Sequence, residues 1–200
     1  MRIFYATRDG QTRRVAERIA ARLSERGIGA ATYDLATAAP PTGDLVQESV
    51  VVVVAAVRYG RHLPEADRLL SALRTLPSPP ALALVSVNLT ARKPGKTTAE
   101  GNAYLRRWIA RHRLTPVLAA AVAGRLDYPR YGWLDKVMIR LIMTLTGGPT
   151  DPRAVVDYTD WDAVDRLAGQ IGDAVKGRSP PCIDADTACR PPSMGSGEGP

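Results

Sequence analysis

Apolar and polar positions alternate along this 200-residue chain between short solid runs and longer spaced stripes. Ile3, Phe4 and Tyr5 form a short apolar run, read as a buried strand. Val15, Ile19 and Leu23, with Ala16 and Ala20 beside them, then recur at helical spacing until Gly27. A second strand is expected over Ala30 to Leu35, and Pro40-Pro41-Thr42-Gly43 reads as a loop. Ser49 to Val57 holds five consecutive valines, which predicts a central parallel strand buried on both faces. Pro64 opens a helix carrying Leu69, Leu70, Leu73 and Leu76, and Pro77-Ser78-Pro79-Pro80 breaks it. Ala81 to Val87 is the fourth strand. A basic loop, Thr90 to Thr98, and a helix with Leu105, Trp108, Ile109 and His112 on one face come next. Val117 to Ala123 is the fifth strand. The last helix opens at Thr159-Asp160-Trp161-Asp162, a capping-box pattern with Asp in the Glu position, and carries Val164, Leu167, Ala168 and Ile171.

This order predicts an α/β fold: a flavodoxin-like, doubly wound, five-stranded parallel sheet. Ligands of such sheets sit outside the carboxyl ends of the strands. The loops there are Thr7-Arg8-Asp9-Gly10-Gln11-Thr12, then Arg58-Tyr59-Gly60 running on to His62, and Ser86-Val87-Asn88-Leu89 running on to Lys93. The first loop joins a strand to a helix, so its free N–H groups lie at the positive end of the helix dipole and suit a phosphate. Thr7 and Thr12 add hydroxyls, and Gly10 permits close backbone approach. The loop lacks the second glycine of the dinucleotide motif and the Lys-Ser/Thr ending of the triphosphate motif. An ordinary strand-to-helix turn with Asp9 as the helix cap explains the same residues.

About thirty-five residues between the fifth strand and the last helix exceed a normal connection. Within them Leu134 to Thr146 predicts a helix with Leu134, Val137, Met138, Leu141, Ile142 and Leu145 on one stripe. It can pack on the domain, lie in a membrane interface beside Arg130, Tyr131 and Trp133, or cover an apolar substrate. As a helix of about 20 Å it is too short to span a bilayer. Residues 1–176 are therefore expected to form one domain, with an insert at about 125–150. Residues 177–200, rich in Pro, Gly, Ser and Asp, form an expected disordered tail.

Composition changes this picture in three ways. The formal net charge of +7 comes mostly from arginine, 23 Arg against 4 Lys, and allows nucleic acid, anionic lipid or an acidic small molecule as partner. No basic–aromatic nucleic-acid motif accompanies it, so no nucleic acid is expected. The two cysteines, Cys182 and Cys189, lie in the tail without zinc-ligand neighbours, and no metal is expected. Catalytic side chains are sparse. His112 reads as a helix-end residue, and His62 as a satisfied surface histidine that could also move a proton. An enzyme with so few acid–base groups borrows its chemistry from a cofactor. A phosphate-binding first loop on this fold suggests FMN. Its phosphate would lie on Thr7, Arg8, Asp9, Gly10, Gln11 and Thr12. Tyr59 would stack on the ring, flanked by Arg58 and Gly60, and the Ser86, Val87, Asn88 and Leu89 backbone would meet the ring edge.

These runs resemble one family. The chain is similar, from residue 1 to about 175, to the flavodoxin-like menaquinone-dependent protoporphyrinogen IX dehydrogenases. The resemblance rests on Thr7-Arg8-Asp9-Gly10-Gln11-Thr12-Arg13, Arg58-Tyr59-Gly60, Ser86-Val87-Asn88-Leu89 and Ala91-Arg92-Lys93-Pro94. It continues through Tyr128-Pro129-Arg130-Tyr131, the Met138-Ile139 and Leu141-Ile142-Met143 pairings, Gly147-Gly148 and Tyr158-Thr159-Asp160-Trp161. Electron-carrier flavodoxins usually have a hydroxyl residue in place of Asp9 and are acidic rather than basic. The resemblance implies non-covalent FMN and six-electron oxidation of protoporphyrinogen IX to protoporphyrin IX in heme biosynthesis. It implies menaquinone as acceptor and a place at the inner face of the cell membrane, which the insert would touch. Arg58, Arg92, Lys93, Arg125 and Arg130 are candidates for the substrate propionates, with Tyr128 beside them. A homo-oligomer is compatible with all of this. An electron carrier or an NAD(P)H:quinone reductase on the same fold are the alternatives.

Overall fold

The computed structural model describes residues 1–37, 43–127, 151, 153 and 155–177. The expected insert helix, Leu134 to Thr146, and the tail from residue 178 with its two cysteines lie outside the described residues, as do Tyr128 and Arg130. The elements run β1 (Arg2–Ala6), α1 (Gln11–Glu25), β2 (Ala31–Asp34), β3 (Val50–Arg58), β4 (Arg61–His62), α2 (Pro64–Leu73) and β5 (Ala81–Val87). They continue with α3 (Ala103–His112), β6 (Leu118–Val122), β7 (Arg125–Asp127), β8 (Val155–Asp157) and α4 (Trp161–Lys176). Short 3₁₀ turns cover Gly43–Gln47 and Leu89–Arg92.

Five strands pair in parallel in the order β2-β1-β3-β5-β6. Val50 to Val54 of β3 are wholly buried, and their alternation sorts them onto two faces. Val51, Val53 and Ala55 pack with Phe4 of β1, Leu84 of β5 and the α2 and α3 residues Leu69, Leu70, Leu105 and Trp108. Val50, Val52 and Val54 pack with Ile3, Val85 and the α1 and α4 residues Val15, Ile19, Val164 and Ile171. Two helices therefore cover each face. β1 lies between β2, reached through α1, and β3, whose following helix α2 is on the other face, so the winding reverses beside β1. No described helix is long and apolar enough to cross a membrane.

Two features were not expected. β4 is a two-residue antiparallel strand folded back on β3, pairing His62 with Val57 and Arg61 with Arg58. β7 and β8 form a small antiparallel ribbon that pairs Asp127 with Val155 and Arg125 with Asp157. The ribbon brings the chain back to the place it left: Thr159 Oγ1 donates to Ala123 O at 2.9 Å. The capping-box reading of α4 also shifts by one residue. Asp160 is the cap and accepts from the Ala163 N–H at 2.9 Å, while Thr159 is drawn inward.

α1 ends in a Schellman motif. Gly27, at φ +75°, donates to Ser24 O, and Ile28 donates to Leu23 O. On the surface between α1 and α4, Arg18 grips Asp165 with two hydrogen bonds of 2.7 and 2.8 Å, and Arg22 adds a third of 2.8 Å. These bonds hold the Asp165 carboxyl well below its usual pKa. A carboxylate depressed in the folded state adds stability above its unfolded pKa and loses it as pH falls through the folded value. In urea titrations, Asp165→Asn is expected to lower stability at pH 7, and the difference from wild type should shrink steadily below about pH 4.

Candidate functional site

The carboxyl ends of β1, β3 and β5, with the turns leaving β3 and β6, enclose a cavity of about 330 Å³. Three segments expected at one site do converge there. Thr7, Arg8, Asp9, Gln11 and Thr12 come from the first loop, Arg58, Tyr59 and Gly60 from the β3–β4 turn, and Val87, Asn88 and Leu89 from the end of β5. Arg125 joins them from β7. Gly10 and Ser86 do not face the cavity but hold residues that do. Arg92 and Lys93 are outside its wall. The Arg92 guanidinium lies 5.6 Å from the centre of the Tyr158 ring.

The first loop is built to leave donors open. Gly10 takes φ +85°, and its N–H is turned onto Thr7 Oγ1 at 3.0 Å. It is the N-cap of α1, where no side chain caps the helix and no acid stands in the first turn. α3 and α4 are capped by Asn102 and Asp160, and α2 starts with proline. Only from Arg14 onward does the α1 backbone find its partner, Gly10 O at 3.2 Å. The first N–H groups of α1 therefore lack a cap where an anion would take that place.

Asp9 does not cap the helix. Both its carboxylate oxygens take hydrogen bonds from Arg58 Nη2, at 2.8 and 2.9 Å, which ties the loop to β3. Next to it Arg8 reaches Glu65 of α2 at 2.7 Å. Burial pushes the Glu65 carboxyl up, but the Arg8 hydrogen bond and charge outweigh it and leave a net lowering. Gln11 is buried and fixed from the far end of the chain. Its Nε2 donates to Thr159 Oγ1 at 2.7 Å and to Asp157 Oδ1 at 3.1 Å. Asp157 is likewise lowered: burial raises it, and hydrogen bonds from Thr159 and Gln11 more than compensate. Asp157 and Thr159 were missed as supports of the site. In sequence the run Tyr158-Thr159-Asp160-Trp161 shows a capping pattern and a family resemblance, but nothing local points to Gln11 as its partner.

The second wall is the β3–β4 turn. Tyr59 and Gly60 sit at φ +50° and +76°, the conformation of a two-residue hairpin turn with both central residues left-handed. A tyrosine there carries strain of about 1–2 kcal/mol. It is also 68% exposed, so its ring stands at the cavity rim. Tyr104, on the first turn of α3, also lines the cavity and was not anticipated. A Cβ on Gly60 would meet Tyr104 Cε1 at 3.9 Å, so the two tyrosines flank the same turn.

His62 departs from expectation: it is buried, with its ring stacked on Trp108 at 3.9 Å and 14°. Burial pushes its pKa down to about 3 against a partial opposing pull from Asp67. His112 does end α3, buried against Asp67 at 2.9 Å. The cavity thus joins an uncapped helix start with two threonine hydroxyls, a flat aromatic rim, and arginines at its mouth. That set fits a phosphate at one end and a planar ring at the other.

A family model described as a flavodoxin domain matches residues 2–153. The protoporphyrinogen IX dehydrogenase (quinone) of Escherichia coli (strain K12) is 39% identical over 173 residues, covering 84% of this chain and 92% of that protein. Its counterpart from Leishmania major is 36% identical over 195 residues, covering 94% and 81%. Among solved structures, the Streptococcus pneumonia TIGR4 flavodoxin superposes with a TM-score of 0.52 at 12% identity, covering 87% of this chain and 98% of that one.

Two outcomes test this geometry. The His62 imidazole resonances should not titrate between about pH 4.5 and 8, because the folded pKa lies below that range while the unfolded reference is about 6.5. Between those two values the unfolded chain binds the extra proton, so His62 removes stability as pH falls. Gly60→Ala, which has room for its methyl but not a relaxed backbone, should cost about 1 kcal/mol in denaturant unfolding.

Proposed function

The chain belongs to the flavodoxin-domain family of protoporphyrinogen IX dehydrogenases, and on that premise we propose that it binds FMN, oxidises protoporphyrinogen IX to protoporphyrin IX and passes the electrons to menaquinone. The observation that supports this reading best is one cavity that has an anion-ready helix start at one end and an aromatic rim bordered by arginines at the other. FMN, when bound, would supply two-electron redox chemistry, so a six-electron oxidation would call for three quinones.

The chain's own residues bind and orient. Thr7, Thr12 and the open N–H groups of α1 take the phosphate, and Gly10 keeps the loop free of a side chain. Arg58 neutralises Asp9, which would otherwise repel a phosphate in the place where carriers have a hydroxyl. Tyr59 and Tyr104 offer flat apolar surface to the rings. Arg8, paired with Glu65, and Arg125, paired with Asp127 at 3.2 Å, stand at the cavity wall as the candidates to turn toward the two propionates. Among the described residues no histidine lines the cavity, and Asp9, the one carboxylate there, is held by Arg58. Ring protons of the substrate leave to water or to a local base.

Residues 1–176 act as one flavodoxin-like domain whose insert, at about 125–150, meets the lipid that holds the quinone. The protein works in heme biosynthesis from the inner face of the cell membrane. The insert is the feature that sets this reading apart from a simple electron carrier.

The deciding assay follows porphyrin fluorescence from protoporphyrinogen IX, without oxygen, on FMN-loaded protein with and without a menaquinone analogue. Fluorescence that needs both FMN and quinone is expected. A bound, reducible flavin that yields no porphyrin would point to a carrier, and rapid reduction by NAD(P)H to a reductase. Gly10→Val should weaken FMN binding at least tenfold in a flavin-fluorescence titration while unfolding stays cooperative, since that φ excludes a branched side chain.

A further inference from the structure

The buried polar groups behind the cavity are not used by the function proposed above, and they form one chain. His62 Nε2 is 2.8 Å from Ser86 Oγ. Asn88 Nδ2 donates to that same oxygen at 3.0 Å. Asn88 Oδ1 accepts from the Ala91 N–H at 3.1 Å and from Asn102 Nδ2 at 3.2 Å. Ser86 is fully buried, so it is no nucleophile with a base beside it. One hydrogen assignment satisfies the set: Asn88 donates to Ser86, and the Ser86 hydroxyl donates to an unprotonated His62 Nε2.

Asn88 belongs to the cavity wall, and His62 sits directly behind it, two residues beyond Gly60 on β4. β4 pairs with β3 through only two residues and one further bond, Leu63 N–H to Ala56 O at 3.1 Å. A ribbon that short does not hold its own shape. Its turn also carries a left-handed tyrosine that must be kept in place. The stack of His62 on Trp108, whose indole N–H donates to Asp67 of α2 at 2.8 Å, anchors the ribbon to two helices. The bond to Ser86 anchors it to β5.

We infer that His62 is a positioning residue, which holds the Tyr59-Gly60 turn in register with Asn88 so that two separate stretches of cavity wall present one fixed slot to the ring of the ligand. It touches neither ligand nor solvent and acts through Ser86 and Trp108. The ligand part of this inference rests on the FMN reading; the coupling of turn and loop does not.

The test compares wild type with His62→Leu, His62→Gln, Ser86→Ala and the His62→Leu/Ser86→Ala double variant. Amide hydrogen exchange is measured on flavin-free protein, and FMN affinity by titration. His62→Leu and Ser86→Ala should each speed exchange at residues 57–63 at least tenfold and leave Val51–Val54 unchanged. Each should weaken FMN about tenfold, and the double variant should bind no worse than the weaker-binding single, since His62→Leu already removes the bond that Ser86→Ala removes. In His62→Gln the carboxamide oxygen can accept from Ser86, and both readouts should stay within threefold of wild type. Unchanged exchange at 57–63, a rise spread equally over the central strands, or additive losses would overturn the inference. If wild type takes up no FMN, the FMN reading fails, while the exchange data still decide the role of His62. If His62→Leu does not fold, Ser86→Ala decides on the same readouts.

Discussion

Burial of β3 on both faces is the constraint from which the rest of this molecule follows. Five consecutive valines leave no side of the strand for water, so each face must be covered by its own helices. Right-handed crossovers then require the chain to wind one way from β1 to β2 and the other way from β3 onward. The reversal leaves the ends of β1 and β3 without a helix packed across them. A cavity at that point is a product of topology before any functional residue is placed in it.

The side chains around the cavity resolve a conflict of charge. An uncapped helix start attracts an anion, yet the loop before it holds an aspartate. Arg58 settles this by claiming both oxygens of Asp9, and Arg8 is in turn claimed by Glu65. The loop is thus clamped to β3 and α2 by ion pairs, and to β8 by Gln11. Such pairs, partly shielded from water, contribute more to geometry than an exposed pair does. The result is a loop held on three sides in front of a helix start that no side chain caps.

The sheet was legible because its signals are local. The valine run, the helix stripes and the Gly27 stop each report on their immediate neighbours, and β5 is found at its expected ends, Ala81 and Val87. The three site loops were legible because topology alone places the strand ends together. What escaped depended on distant partners. Nothing around Arg61-His62 marks a strand, because β4 exists through pairing with β3 and the stacking of His62 on Trp108. Asp9 reads as a cap until Arg58, 49 residues away, is seen to hold it. Thr159 fits a capping box in sequence. In the fold Gln11 and Ala123 draw it inward, and the cap passes to Asp160. Tyr104 opens an ordinary amphipathic helix, and only the packing of α3 beside the β3–β4 turn brings it to the cavity.

The β7–β8 ribbon has a bearing on how this family could diversify. Because Asp127 and Val155 face each other across the ribbon, whatever is written between them starts and finishes at one fixed point on the domain. Lengthening or replacing that sequence pulls on no strand of the main sheet, and the entropy of closing a longer loop grows only with the logarithm of its length. The ribbon is a cassette joint. One redox core can keep its cofactor cavity unchanged and receive new appendages at this point, each with its own substrate or surface.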